Sequence, residues 1–233
     1  MTDFDKEIRK AIRESFGKNT SITNVKKNLD EAYVTQAKKF ELNTELLSEK
    51  NKQAHQELFG KYVDALNRVS AELDGVNRED ANSNHSTFRS LKIDEVYNMN
   101  AAYLHALFFD NISDQKSVIT MDSLAFMRLE RDFGSFDAWQ KDFVACCMSA
   151  RNGWAMTVYS TMLKRYINVV VDLHHQNVPI AAFPIVVMDC WEHSYYRDYL
   201  SDRKTYVYGM MKELDWNLIE ERFKKAEKIS KIG

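Results

Sequence analysis

Proline is nearly absent from this chain, with two in 233 residues, and glycine is scarce at seven. Few positions can turn sharply, which argues against a strand-rich architecture of many tight turns and favours helices. Cysteine is equally sparse. Three of them, with Cys146 and Cys147 adjacent and Cys190 apart, form an odd count that builds no disulfide framework, so reduced thiols and a cytoplasmic location are expected. Neither sign of charge dominates: 32 basic residues face 34 acidic ones for a net charge of -2, and no long basic block occurs, which leaves nucleic acid and anionic membrane unindicated as partners. Long apolar runs are missing too. The richest, INVVV and FPIVVM, fall far short of a membrane span, and the opening MTDFDKEIRK lacks the apolar core of a signal peptide.

What the chain does contain is helical periodicity in its first half. Phe4, Ile8, Ile12 and Phe16 repeat every fourth residue and stop before Gly17, and Ile22, Val25, Leu29 and Tyr33 outline a second amphipathic helix. A longer helix is expected from about Asn43 to Leu73, ending before Gly75, and another from about Leu91 to Asn111, with the polar loop GVNREDANSNHS between them. After Gly134 the texture changes. SFDAWQKDFVACCMSA reads as helix, whereas WAMTVYS, RYINVVVDL and AFPIVVMD are β-branched runs of strand length, with HHQNVP as the turn between the second and third. The tail from about Arg203 to Lys228 returns to helix. The expected fold is α+β: an amphipathic helical extension over 1–42, a long-helix hairpin over 43–115, and over 116–233 a mixed α/β part with a small three-stranded antiparallel sheet.

The string MDCWEHSYYRDY places Asp189 and His193 four residues apart inside an aromatic cluster. A carboxylate and an imidazole at that spacing can converge on one ion if the backbone turns helically, and Trp191, Tyr195 and Tyr196 would wall it from water. The competing reading is an ordinary surface contact between Asp and His.

FPIVVMDCWEHSYYRDY resembles the hallmark string of the iron/manganese superoxide dismutase family, Asp-x-Trp-Glu-His-Ala-Tyr-Tyr after a short strand, with Ser194 in place of the usual alanine. LERDFGSFDAWQKDF and RNGWAMTVY are similar to two further family segments, and the order fits from about Leu46 onward. The resemblance implies a mononuclear manganese or iron site that disproportionates superoxide to dioxygen and hydrogen peroxide. By the same resemblance the metal ligands are Asp189 and His193, His105 in NAAYLHALFF, and His55 in SEKNKQAHQELFGKYV, one residue short of the family spacing to Tyr62. His85, in the decoy segment NHSTF, is assigned to the loop. Tyr62 corresponds to the tyrosine at the substrate entrance, Arg203 to the arginine lining it, and Trp154 and Trp191 to the apolar wall. Gln176 falls where manganese-type members carry a glutamine facing the metal's solvent, whereas Ala101 falls where iron-type members carry theirs, which favours manganese. Two alternatives stay open at HHQNVP: a plain hairpin tip with His174 and His175 exposed, or His175 in the glutamine's place. Glu192 and Tyr196 correspond to residues that cross a two-fold interface, which implies a homodimer.

Departures from the family pattern are local. Leu58 and Phe59 stand where a second first-helix histidine would bond to the partner subunit, Phe109 replaces the tryptophan that follows His105 and Leu104 the asparagine before it, Met156 replaces a pocket aromatic, and Cys190 adds a thiol open to peroxide if exposed. The N-terminal helices lie outside the resemblance, and their apolar stripes call for packing on the body or on a protein partner. The first functional reading is an antioxidant superoxide dismutase. The second is a structural or assembly protein, for example a component of a multiprotein or viral particle, built on the dismutase fold with weak or no activity.

Overall fold

The computed structural model describes residues 35–112 and 117–230. The two helices expected within 1–33 and the expected boundary at 115/116 lie outside them. The first helix, α1 (Glu49–Gly75), begins where the Ser48 hydroxyl accepts the Asn51 amide. It starts later than periodicity suggests because the Ser48 amide donates to Asp198, far along the chain, and this tie keeps the preceding residues, which bend at 45–47, out of the helix. Its buried stripe, Asn51, His55, Phe59, Val63, Leu66 and Leu73, follows the helical repeat. The second helix, α2 (Thr87–Asn111), starts four residues earlier than expected, capped by Ser86. The two lie antiparallel, His55 beside His105 and Tyr62 beside Tyr97, with Phe40 packed against Phe59 and Phe109 at the hairpin's side.

Two helices follow, α3 (Leu124–Phe133) and α4 (Phe136–Ser149), separated by Gly134 at φ +86°, a left-handed position that suits glycine at a helix end. The sheet is β1 (Gly153–Ser160), β2 (Arg165–Asp172) and β3 (Ala182–Asp189), antiparallel in the order β2-β1-β3 as expected. Every residue of central β1 is buried, so both of its faces are covered. Pro184 is tolerated because β3 is an edge strand and because it pairs with Val158 at a register shift.

The tail is two helices after α5 (Glu192–Tyr199), not one: α6 (Arg203–Met210) and α7 (Trp216–Ile229). The break between them comes from Asp215, whose side chain caps α7 through the Leu218 amide and whose own amide donates to the Asn111 carbonyl at 2.6 Å. Arg222 of α7 then reaches inward to the carbonyls of Leu107 and Ile185 and to the Asn111 side chain, while Asn111 donates to Val187 at 2.7 Å. Polar groups thereby bolt the end of α2, the helix that carries His105, to β3 and α7. Among the described residues no helix is long and apolar enough to cross a membrane.

Gly153 opens β1 against β2 so closely that a Cβ there would lie 2.0 Å from the Val171 carbonyl oxygen and 2.9 Å from the Asp172 Cα. Backbone cannot yield as a side chain would, so Gly153→Ala is expected to cost about 3 kcal/mol or more and to lower the melting temperature by roughly 10 °C in a thermal scan.

Candidate metal centre

Four elements converge at one end of the sheet. His55 comes from α1, His105 from α2, Asp189 from the last residue of β3 and His193 from the first turn of α5, and one ligand atom of each lies within 4.8 Å of every other. Asp189 and His193 meet through a strand-to-helix turn rather than a helix: the Trp191 amide donates to Asp189 Oδ1 at 2.9 Å, which turns Oδ2 toward the imidazoles. That oxygen is 3.1 Å from His55 Nε2, 3.1 Å from His193 Nε2 and 3.7 Å from His105 Nε2. The Asp189 carbonyl is held in turn by the Tyr206 hydroxyl at 2.9 Å and by Ser194, the residue that replaces an alanine in the family pattern.

His105 shows what the cluster is suited to hold. Its Nδ1 donates to the Ala101 carbonyl at 2.6 Å, which leaves Nε2 as a lone pair aimed at the centre, 3.4 Å from His193 Nε2. His55, His105 and Asp189 are almost wholly buried, and the His193 side chain is 25% exposed. Burial pushes the His55 imidazole down and His105 well down, the latter aided by His55 itself. Burial alone would raise Asp189, but the charge and hydrogen bonds of His193 and His55 overcome it and hold the carboxyl well below its usual range. Converging imidazole lone pairs around one carboxylate form a receptor for a single divalent or trivalent ion such as manganese or iron.

The surroundings are aromatic. Trp154 sets its edge against His105 at 4.9 Å, Trp191 stacks on His193 at 5.6 Å and Phe109 meets His55 at 4.9 Å. Met156 is buried in β1. Cys190 is fully buried, with its thiol directed at the Met188 carbonyl, so it is not exposed.

His174 is the residue that sequence reasoning missed. Gln176 sits exposed in the turn after β2, its amide bonded to the Asp172 carbonyl, and His175 is half-buried. His174 is wholly buried: its Nδ1 accepts from the Trp154 indole at 3.0 Å and its Nε2 is 3.1 Å from the Tyr62 hydroxyl. The reorientation comes from Leu173, whose φ of +55° turns the chain inward. A histidine pair at a strand end was the only sequence signal, and it could not say which ring points in. Arg203 binds the carbonyls of Ala150 and Arg151 and lies 3.3 Å from the Tyr195 hydroxyl, so its guanidinium is held in place. His85 is exposed in its loop.

Residues 122–222 match the C-terminal domain of iron/manganese superoxide dismutases. The chain is 34% identical to a manganese superoxide dismutase of Halobacterium salinarum over 162 residues, 70% of this chain and 78% of that protein. It is 31% identical to an iron superoxide dismutase of Aquifex pyrophilus over 190 residues, 80% and 88% of the two chains. It belongs to the iron/manganese superoxide dismutase family. Relatives of both metal types stand at similar distances from it, among them a manganese enzyme of Haloferax volcanii that is 37% identical over 131 residues, 56% of this chain and 65% of that one.

Burial pushes the His174 imidazole down to about 4. Below about pH 6.5 the unfolded chain takes up a proton that the folded one refuses, so this contribution to stability is complete above that pH and shrinks as pH falls toward 4. His174→Gln is expected to make the loss of stability between pH 7 and pH 5 shallower by about 2 kcal/mol, as measured by urea unfolding at both pH values with equal metal loading.

Proposed function

We propose that the chain is a superoxide dismutase whose single manganese or iron ion is held by His55, His105, Asp189 and His193. The observation that carries this reading is the convergence of those four donor atoms within 4.8 Å in a buried aromatic pocket. Held by these four residues, the ion would supply the one-electron redox chemistry that turns two superoxides and two protons into dioxygen and hydrogen peroxide. The chain's own residues do the rest. Ala101 fixes the His105 ring through Nδ1, and Asp189 offers one oxygen because the Trp191 amide occupies the other. Trp154, Trp191 and Phe109 exclude bulk water.

Tyr62, whose ring lies 5.3 Å from that of His105, holds a proton beside the centre, and His174 takes the role expected of Gln176. An indole N–H can only donate, so Trp154 makes His174 Nδ1 an acceptor, and the neutral ring carries its proton on Nε2, where it donates to Tyr62. Burial keeps Tyr62 protonated by raising its ionisation well above that of a free phenol. The guanidinium of Arg203, held by backbone carbonyls, is the fixed cation that draws a small anion. Manganese is the favoured metal in this reading. Its support is that the polar residue facing Tyr62 comes from the turn after β2, while buried Ala101 leaves the α2 side without a glutamine.

A homodimer in the cytosol completes the proposal. An open cleft of about 440 Å³ beside His193 is lined by Leu58, Glu192, Tyr196 and Arg197, and Tyr196 is 53% exposed there. A second copy seated on it would cover the exposed edge of His193 and bring the other chain's Glu192 close to it. The cytosolic location is supported by Cys147 and Cys190, which are buried free thiols.

Stopped-flow superoxide decay on protein loaded with manganese, and separately with iron, normalised to bound metal, is expected to show turnover far above that of the free ion. A filled site without turnover would sink the enzyme reading and favour an assembly protein that keeps the metal for its fold. His105→Ala and Asp189→Ala are expected to lose the ion. Added metal should then raise the melting temperature of the wild type and not of the variants, the difference at a thousandfold excess over Kd being about 4 kcal/mol. Unchanged metal content in either variant would refute the ligand assignment.

A further inference from the structure

The chain enters the described fold along the helical hairpin, and its first hydrogen bonds fix the direction from which it comes. The Thr35 amide donates to Asn67 Oδ1, and Asn67 Nδ2 donates back to the Thr35 carbonyl, both at 2.8 Å. Further on, the Phe40 amide donates to Gln56 Oε1 at 3.0 Å. From Asn67 back to Gln56 the helix covers about 17 Å, which is also the span of residues 35–40 when extended, so this stretch runs straight along α1 and antiparallel to it. On the way Lys38 pairs with Asp110 of α2 at 3.3 Å. Residues before Thr35 therefore leave toward the far end of the hairpin, where Gly75 closes α1 and Thr87 opens α2.

That far end is thinly built. Its apolar contacts form a small cluster of Val69, Leu73 and Leu91, with Val76 and Phe88 beside it, separate from the main core. Among the described residues α2 leaves apolar side chains uncovered there: Val96 is 40% and Met99 43% exposed. Phe88, Met99 and Asp110 follow one another at about three helical turns, so they share one face of α2, and Val96 precedes Met99 by about one turn. Asp110 is the residue that Lys38 of the entering chain meets, so the uncovered stripe continues the face along which that chain runs.

We propose that residues 22–33 dock as a third helix on the distal half of the α1–α2 hairpin, over Val96 and Met99, with the bonds between Thr35 and Asn67 as the clasp at its end. The apolar stripe of Ile22, Val25, Leu29 and Tyr33 is the matching surface. Tyr33 precedes Thr35 by two residues, which keeps that end of the stripe within about 7 Å of the clasp and makes the chain's own segment, rather than a second copy, the occupant. As a helix the stripe would be about 17 Å long, against about 18 Å of α2 from Thr87 to Met99. Charge agrees with this direction. With Tyr33 beside Asn67, Asp30 and Glu31 come level with Arg89, and Lys26 and Lys27 come level with Glu72 and Asp74, so opposite signs meet at both heights. The docking stands apart from the chemistry of the metal centre and holds whether or not the chain turns over superoxide.

Hydrogen–deuterium exchange on the whole metal-loaded chain, read by mass spectrometry, tests the docking from both sides of the contact. Peptides within 22–33 are expected to exchange about tenfold or more slowly in the wild type than in a Val25→Asp/Leu29→Asp variant, and peptides from the hairpin's far end, 69–76 and 87–96, are expected to exchange faster in that variant. Met99→Asp, a change on an exposed face of α2, is expected to release 22–33 to the same degree. The protection should be unchanged on dilution. Fast exchange of 22–33 in the wild type overturns the proposal, and so does protection that Met99→Asp leaves intact, because the segment then lies on another surface. Protection that disappears on dilution also overturns it and gives the face to a second copy. Should the double variant fail to fold, the wild type and Met99→Asp decide between the same outcomes.

Discussion

Asp189 is a fully buried carboxylate at the end of a buried strand, and the rest of the molecule is arranged around the cost of keeping it there. Removing a carboxylate from water costs several kcal/mol unless it is paired and hydrogen-bonded. Here one oxygen takes the Trp191 amide, the other faces His55 and His193, and the main-chain carbonyl of the same residue takes the hydroxyls of Tyr206 and Ser194. Elements from both halves of the chain are thereby committed to one point. A metal ion at that point would be the strongest of the compensating charges, and folding and metal binding would then be coupled through this single side chain.

The sheet positions that side chain, and the helical hairpin brings the histidines to it. Asp189 pairs with Trp154 across β1 and β3, so the strand that ends in the carboxylate also places the indole that orients His174. The α1–α2 hairpin supplies His55 and His105 on facing stripes, and Arg222 and Asn111 tie the end of α2 to β3. The polar bolt matters because helix and strand contribute to the same cluster. A slide of one helical turn, about 5 Å, would separate His105 from Asp189 altogether.

Much of this was legible in the chain. The strand runs, the helical repeats and the aromatic string around Asp189 and His193 carry their own periodicities, and the family resemblance named His55 and His105 although the spacing from His55 to Tyr62 departs from the pattern. Helix ends were less legible because caps and long-range bonds set them: Asp198 holds the entry to α1, and Asn111 receives the Asp215 amide where the tail helix breaks. His174 was illegible for a sharper reason. In HHQ, three consecutive polar residues leave a strand, and a single left-handed residue, Leu173, decides which of them faces inward.

By itself, then, the sequence determined the class of fold, the family, and the residue types that can bind a metal, because these follow from local pattern and from strings that chance seldom produces. Only the tertiary structure decided which atoms meet. The inward turn of His174, the donor direction running from Trp154 through His174 to Tyr62, and the placement of Tyr97 beside them depend on backbone dihedrals and on packing between residues far apart in the chain. Periodicity assigns a side chain to a face of its own helix or strand, whereas the direction of a hydrogen bond is set by the neighbour on another element that has a proton to give.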